Sequence, residues 1–429
     1  MKSRKLYILL IFLFVSIAFH ACSSLKEDFN VVDYKNPIKI GFIVPFSEDR
    51  MAAENEYLGV YLAADEINAA GGILGREIQI IARNDGGSAE IGIKAALQLY
   101  NEGIRIILGP AWSSVTIGVA NEVTIPKGML LMSYSSTNPN ISHLVDNDLV
   151  WRTCPSDVFQ GKVGAEYCKT HLNKQTAGIL ALNNSYSLAL AKSFQENFSN
   201  LGGTITHFGI YPELLSDEAT KYDYTKHLDS LFKTQPEVFY LASYPEDGAK
   251  ITNDIAKNNY LTSEYNPIFF SNDGVSSSYF LLNGFPNIVN KFIGTKPGAS
   301  KSQANYLNYF NQYQSRWGFE PVIYSEFAYD AMYLIAYAIL SNNGLPEPMQ
   351  IASYLRKISG SEGNPASTII NVNEFSKARD IILSGGQIDY DGASGKIEFD
   401  INGDPGSGSY LIWKVIDGAF VNDTIFSFP

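Results

Sequence analysis

Cysteine, histidine and positive charge are all scarce in this 429-residue chain. Three cysteines cannot build a disulfide framework. The five histidines, at 20, 143, 171, 207 and 227, never fall at the helical or short-loop spacing of a zinc site, so no metal is expected. Lys+Arg 32 against Asp+Glu 44 leaves a net charge of −12. A basic footprint for nucleic acid is therefore missing, and a solvated acidic surface fits instead. No nucleophile-elbow, Walker or dinucleotide glycine motif occurs. Asp400-Ile-Asn402-Gly-Asp404 has the alternating acceptors of a calcium loop, but Pro405 and Leu411 stand where Gly and Glu are required. It reads as a turn between two strands. The paired acids Glu54/Glu56 and Asp217/Glu218 sit on polar stretches and read as solvated faces. Nothing joins a nucleophile to a base, so the chain does not read as an enzyme, and no cofactor is expected.

Long hydrophobic runs are missing too, apart from one. Residues 6–19 form a fourteen-residue apolar run behind Lys2, Arg4 and Lys5. That is a signal-peptide core, too short to span a bilayer interior of ~30 Å. Ala21-Cys22 follows it, then Ser23-Ser24, which resembles a lipoprotein processing site with Cys22 as the lipidated first residue. The alternative is a plain cleaved signal with Cys22 incidental. Residues 1–21 are then the signal and 22–36 a polar tether. Ser156 reads as the N-cap of a helix that carries Cys168 twelve residues on, ~18 Å from its start at 1.5 Å per residue. Cys154 lies just before that start. A disulfide needs Cα atoms within ~7 Å, so both are read as free, buried thiols.

What is present is apolar and aromatic residues, 45% and 13% of the chain, with 26 Tyr and 25 Phe. A chain of this length is expected to hold two to three domains of ~150 residues. Strand signals at 38–44, 77–82, 104–108, 129–133, 149–153, 176–182, 204–210, 238–242 and 267–271 are short runs of Ile, Val, Leu and aromatics, as buried parallel strands should be. Helical patterns fill most of the gaps, at 54–69, 89–101, 114–123, 160–170, 187–200, 222–233 and 248–258. Gly71-Gly72, Gly103 and Gly202-Gly203 supply helix stops. After about 300 the order changes to helices at 302–317, 325–341, 348–358 and 373–383, then strand and turn over 395–421. Repeated strand–helix alternation implies doubly wound α/β sheets with helices on both faces. The strand count favours two lobes over one sheet.

Five motifs then fall in order: PIKIGFIVPF at 37–46, ADEINAAGGILG at 64–75, Gly109-Pro110 with Ser113-Ser114 and Thr116, MSYSSTNP at 132–139 and WRTCPSDVFQG at 151–161. With the tail at 390–404 they resemble the leucine/isoleucine/valine-type solute-binding proteins of ABC importers. The resemblance implies the type I periplasmic-binding fold, two α/β lobes joined by three crossovers around a ligand cleft. Carried over, lobe one is 37–154 plus 290–384, and lobe two is 155–289 plus 385–429. It also implies candidate ligand contacts. Ser113 and Ser114 open a helix whose free N–H groups suit a carboxylate, although a serine there can equally be a cap. Ser135 and Thr137 follow the fourth strand and would hold the amino and carboxylate groups, or else form a polar turn. Tyr186 would cover the ligand, Asp273 would pair with its ammonium, and Tyr244 sits at a strand tip of lobe two. Trp112 stands where the family has small residues and either narrows the pocket or packs behind it. The implied function is an extracytoplasmic protein, held to the membrane by lipid at Cys22, that passes an amino acid or related amide to ABC permease subunits. A ligand-sensing receptor subunit of the same fold is the alternative.

Overall fold

Short Ile- and Val-rich runs are buried on both faces only when helices cover both sides of a sheet, and that is the arrangement here. The computed structural model describes residues 33–360, 363 and 365–428. The expected signal, Cys22 and most of the tether lie outside the described residues. The first lobe is built on a parallel sheet of β1 (Asp33–Val44), β2 (Arg76–Asn84), β3 (Ile106–Leu108), β4 (Leu130–Ser133) and β5 (Val150–Arg152), in the order β2-β1-β3-β4-β5. The second is built on β6 (Thr176–Leu182), β7 (Thr204–Tyr211), β8 (Val238–Ala242), β9 (Ile268–Ser271) and β10 (Phe292–Pro297). A small ribbon of β11 (Thr368–Ile370), β12 (Ile388–Gly392) and β13 (Gly395–Lys396) follows. The chain then returns with β14 (Gly408–Ile416) and β15 (Ala419–Phe428) to complete the order β15-β14-β10-β9-β8-β6-β7. β14 runs antiparallel to both β10 and β15.

The helix Ser325–Ser341 packs against the first sheet and is buried from Ser325 to Leu340 without a break. A helix that is apolar all round belongs inside. Its Tyr329, Tyr333 and Tyr337, four residues apart, share one face and meet Tyr390 and Phe375. Its Asp330 is buried as well. That carboxylate accepts from Tyr390 Oη at 2.8 Å, Ala393 N at 2.8 Å, Ser394 N at 2.7 Å and Ser394 Oγ at 2.6 Å. Four donors meet its acceptor capacity, as a structural buried acid requires.

The lobe boundaries differ from those carried over. Residues 292–297, expected in lobe one, are β10, paired in parallel with β9 and antiparallel with β14. The signal was weak because Gly294 interrupts the run. A Cβ there would sit 2.2 Å from Trp413 Cζ2, so the position needs glycine. Residues 388–399, expected in lobe two, pack through Ile388, Tyr390, Ile397 and Phe399 on the first lobe's core. The crossovers therefore lie near 153–156, 297–300 and 400–408. Hydrogen bonds fix them to the neighbouring elements: Thr153 Oγ1 donates to Phe327 O at 2.9 Å in the helix Ser325–Ser341, and from β14 Tyr410 Oη donates to Ser156 O at 2.9 Å while Ser409 O accepts from Gly298 N at 3.1 Å.

Two further expectations change at this level. The strand that opens the expected 395–421 stretch is only two residues long, Gly395–Lys396, and the following turn is held by Asp400, which accepts from Asn402 N at 2.8 Å and Asp404 N at 3.0 Å. Asp404 then pairs in a fork with the fully buried Arg152, at 2.6 and 2.7 Å. Glu56 is not on a solvated face. It is 4% exposed, whereas Glu54 is exposed and pairs with Arg50 one turn away. Ser156 is the N-cap of Asp157–Glu166, and Cys154 and Cys168 are free and buried.

Candidate functional site

In an open α/β sheet, ligands bind beyond the carboxyl ends of the strands where the strand order reverses. Here that point lies between β1 and β3 in the first sheet and between β6 and β8 in the second. The segments leaving those four strands face each other across a cleft of about 1050 Å³, lined among others by Glu48, Trp112, Ser113, Tyr186 and Tyr244. Closure by both walls is direct. Trp112 from one lobe stacks on Tyr244 of the other at 4.9 Å between ring centres, and Tyr244 stacks on Tyr186 at 5.7 Å. Gly87 makes room for the indole. It sits at φ +64°, and a Cβ there would be 2.4 Å from Trp112 Cζ3.

Seven of the eight expected contact residues line this cleft: Trp112, Ser113, Ser114, Ser135, Tyr186, Tyr244 and Asp273. Thr137 does not. It is 1% exposed, its carbonyl accepts from Asp157 N at 2.9 Å, and it packs behind the wall. The Ser113 side chain does not cap its helix. The N-cap is Trp112, which makes no side-chain cap bond, and Ser113 Oγ instead accepts from Asn138 N at 3.3 Å. Ser135 Oγ donates to Ala111 O at 2.9 Å, which joins the ends of β3 and β4.

Asp273 is the most heavily bonded group of the cleft. Its Oδ1 accepts from Gln160 Nε2 at 2.6 Å and lies 2.9 Å from Tyr186 Oη, and its Oδ2 accepts from Tyr324 Oη at 2.8 Å. Tyr324 packs with the first lobe's core, so this bond crosses between lobes. Burial raises the Asp273 carboxyl above its usual range, while these three donors pull the other way. Three donors leave room for a fourth, such as an ammonium.

Sequence reasoning missed Gln160, Tyr324, Lys296 and Glu326, all of which meet here. Lys296 lines the cleft from β10, and burial lowers its pKa against the opposing pull of Glu326 and Asp273. Glu326 also lines it, is 4% exposed, and is pushed by burial to about 8. Their signal was hidden because β10 and the helix start at Ser325 reach the cleft only through the second crossover.

Comparison with known proteins now adds to this geometry. The family described as the receptor family ligand binding region matches residues 55–418. The chain belongs to that family. The matched region is a ligand-binding one, and this chain is a binding protein rather than an enzyme. It is 29% identical over 281 residues to the Leu/Ile/Val-binding protein BraC3 of Rhizobium johnstonii, a match spanning 63% of this chain and 72% of BraC3. It is 24% identical to BasB of Halobacterium salinarum, a substrate-binding protein of a chemotactic signal transduction system, over 89% of this chain and 87% of BasB. Among solved structures it resembles the leucine-binding protein LivK of Thermotoga maritima with a TM-score of 0.75 and 20% identity, covering 90% of this chain and 98% of LivK. The fold is thus the two-lobed type I periplasmic-binding fold. Among the described residues, no helix is long and apolar enough to cross a membrane.

Proposed function

We propose that this protein is an extracytoplasmic solute-binding lipoprotein, anchored at Cys22, that captures an amino acid between its lobes for an ABC importer. The observation that carries the reading is the division of labour across the cleft. Ser113 and Ser114 open a helix on one wall, where free N–H groups and a partial positive charge favour a carboxylate. Asp273 stands on the other wall with acceptor capacity for an ammonium. A zwitterion bridges the two, so ligand and closure reinforce each other. The names of BraC3 and LivK support an amino acid as ligand, and the apolar fourteen-residue run before Cys22 supports export. BasB favours a second reading, in which the closed form is handed to a signalling partner.

Thermal-shift screening of the mature chain against amino acids and small carboxylates tests the proposal. A ligand at 100 times its dissociation constant adds ~2.7 kcal/mol to stability, which such a screen detects. Stabilisation by an amino acid but not by its des-amino analogue is the expected result. No shift with any amino acid would overturn the reading.

A further inference from the structure

The cleft is acidic far beyond what one ammonium needs. Ten of its lining side chains are carboxylates and two are lysines. Lys301 is already paired with Glu320 at 3.3 Å, which leaves only Lys296 against the other nine. Three of these acids are almost wholly enclosed by protein: Glu56 at 4% exposure, Asp247 at 3% and Glu326 at 4%. Among the described residues none of the three has a cation within ion-pair distance. Glu326 accepts no hydrogen bond from another residue's side chain, and Glu56 accepts a single one, from Tyr134 Oη at 3.1 Å. The contrast with Asp330, four residues along the same helix as Glu326, is direct. That acid faces the core and has four donors. Asp247 accepts from Tyr224 Oη at 2.5 Å, which leaves Glu56 and Glu326 as the enclosed cleft acids short of partners.

The acids also gather from both lobes. Glu48 and Asp49 leave β1 on one wall, and Glu246 and Asp247 open the helix Pro245–Lys257 on the other. The walls meet at this place, where Ser216 Oγ donates to Glu48 Oε2 at 3.1 Å. The like charges of Asp49 and Glu48 act on Glu246 across the gap. Enclosing carboxylates without counter-charge is unfavourable unless a proton or a cation arrives. The stacked Trp112, Tyr244 and Tyr186 beside them form an apolar wall along which an aliphatic stem can lie.

We infer that the compartment between Glu48/Asp49 and Glu246/Asp247 is a cation subsite, and that the ligand is a dibasic amino acid whose side chain ends in an ammonium or guanidinium group. This rests on the reading of the cleft as an amino-acid site, with Asp273 and the Ser113 wall holding the backbone groups. The side-chain stem then runs along the aromatic stack, and its terminal charge reaches Glu48, Asp49, Glu246 and Asp247 where the two walls meet.

Calorimetry of the mature chain tests this with matched pairs: L-lysine against L-norleucine, which lacks only the terminal ammonium, and L-arginine against neutral L-citrulline. The charged member of each pair should bind at least tenfold more tightly. Glu246→Gln should weaken lysine binding about tenfold and norleucine binding less than twofold. Glu246 accepts no hydrogen bond from another residue, so the variant should melt no lower than the parent, and Asp49→Asn gives the same test from the other wall. Norleucine binding as well as lysine would overturn the inference and leave the amino-acid reading standing. Failure of all four ligands to bind would overturn the inference, and the thermal-shift screen against the other amino acids then decides the amino-acid reading. A lysine preference that neither variant reduces would refute the placement of the subsite.

Discussion

Removal of the Asp273 carboxylate should separate binding from folding, because its neighbours are already provided for. In Asp273→Ala, Gln160 Nε2 keeps Thr295 O at 3.1 Å and Thr295 Oγ1 at 3.2 Å. Tyr186 Oη keeps Asn272 Oδ1 at 2.7 Å and still accepts from Gly274 N at 3.1 Å. Only Tyr324 loses its partner, and it lines the cleft, where a water can take the place of the removed carboxylate. Loss of one net hydrogen bond costs ~0.5–1.5 kcal/mol, so the fold should survive. A ligand ammonium would lose a charge-assisted bond, ~1.5–3 kcal/mol, and be left unpaired in an enclosed site. At ~1.4 kcal/mol per tenfold, affinity for an amino acid should drop roughly 10- to 150-fold. The substitution also cuts the Tyr324–Asp273 bond between lobes, which weakens closure around any ligand. Calorimetry with an amino acid and its des-amino analogue resolves the two effects. The loss common to both ligands reports the interlobe bond, and the excess for the amino acid reports the ammonium. An excess of less than twofold would remove Asp273 from the ammonium site.

Other perturbations have equally direct expectations. Asp404→Ala leaves the Arg152 guanidinium buried with only the carbonyls of Ser136 and Asn138 and the Ser142 hydroxyl, so denaturant titration should show a loss of roughly 3–5 kcal/mol; a loss below about 1 kcal/mol would refute that. Burial raises Glu326 to about 8, against the pull of Lys296 and with Asp330 adding to it, and raises Glu246 to about 7. Both folded-state values exceed the usual 4.5 for a glutamate. The fold therefore holds protons that the unfolded chain has released, and stability falls as pH rises through this window. The empty protein should lose about 2 kcal/mol between pH ~6.5 and ~8, and a higher melting temperature at the upper pH would contradict the assignment. Cys22→Ala should move the protein from the membrane to the soluble fraction, and a fully soluble parent would exclude the anchor. Small-angle scattering should show a smaller radius of gyration at saturating ligand if the lobes hinge at the crossovers; an unchanged curve would count against that.

Most of the first 290 residues could be read from local pattern, because buried parallel strands and amphipathic helices repeat there with clear stops. β6, β8 and the helices Ala89–Asn101 and Ser325–Ser341 have the bounds their sequences imply. The helices expected at 114–123 and 160–170 are each an α segment continued by a π turn, a distinction that side-chain periodicity does not carry. β10 escaped because a strand whose centre is Gly294 and whose end is Pro297 offers little β signal. The lobe boundaries moved for the same reason, since strand pairing decides them and spacing does not. The cleft residues that follow β3, β6 and β8 could be found because they sit at strand ends in recognisable order. Glu56 and Glu326 could not, because each lies on a helix where an acid ordinarily means a solvated face.

The acids of the cleft and the bonds between the lobes bear on the same question, which is what holds the two halves together. Trp112 on Tyr244, Tyr324 on Asp273 and Ser216 on Glu48 all join one wall to the other. Against them stand Glu48 and Asp49 facing Glu246, where ionised pairs repel and enclosure strengthens the repulsion by lowering the local dielectric. An empty cleft therefore closes at a cost that rises with pH. A ligand can shift the balance only by its difference in affinity for the two states. A cation among these acids supplies that difference, because it meets both walls only when they are together. A neutral side chain leaves the repulsion in place. Selection for charge and coupling to closure are then one property of the same four side chains, and a substitution that relaxes the first, such as Glu246→Gln, should also let the empty lobes close more readily.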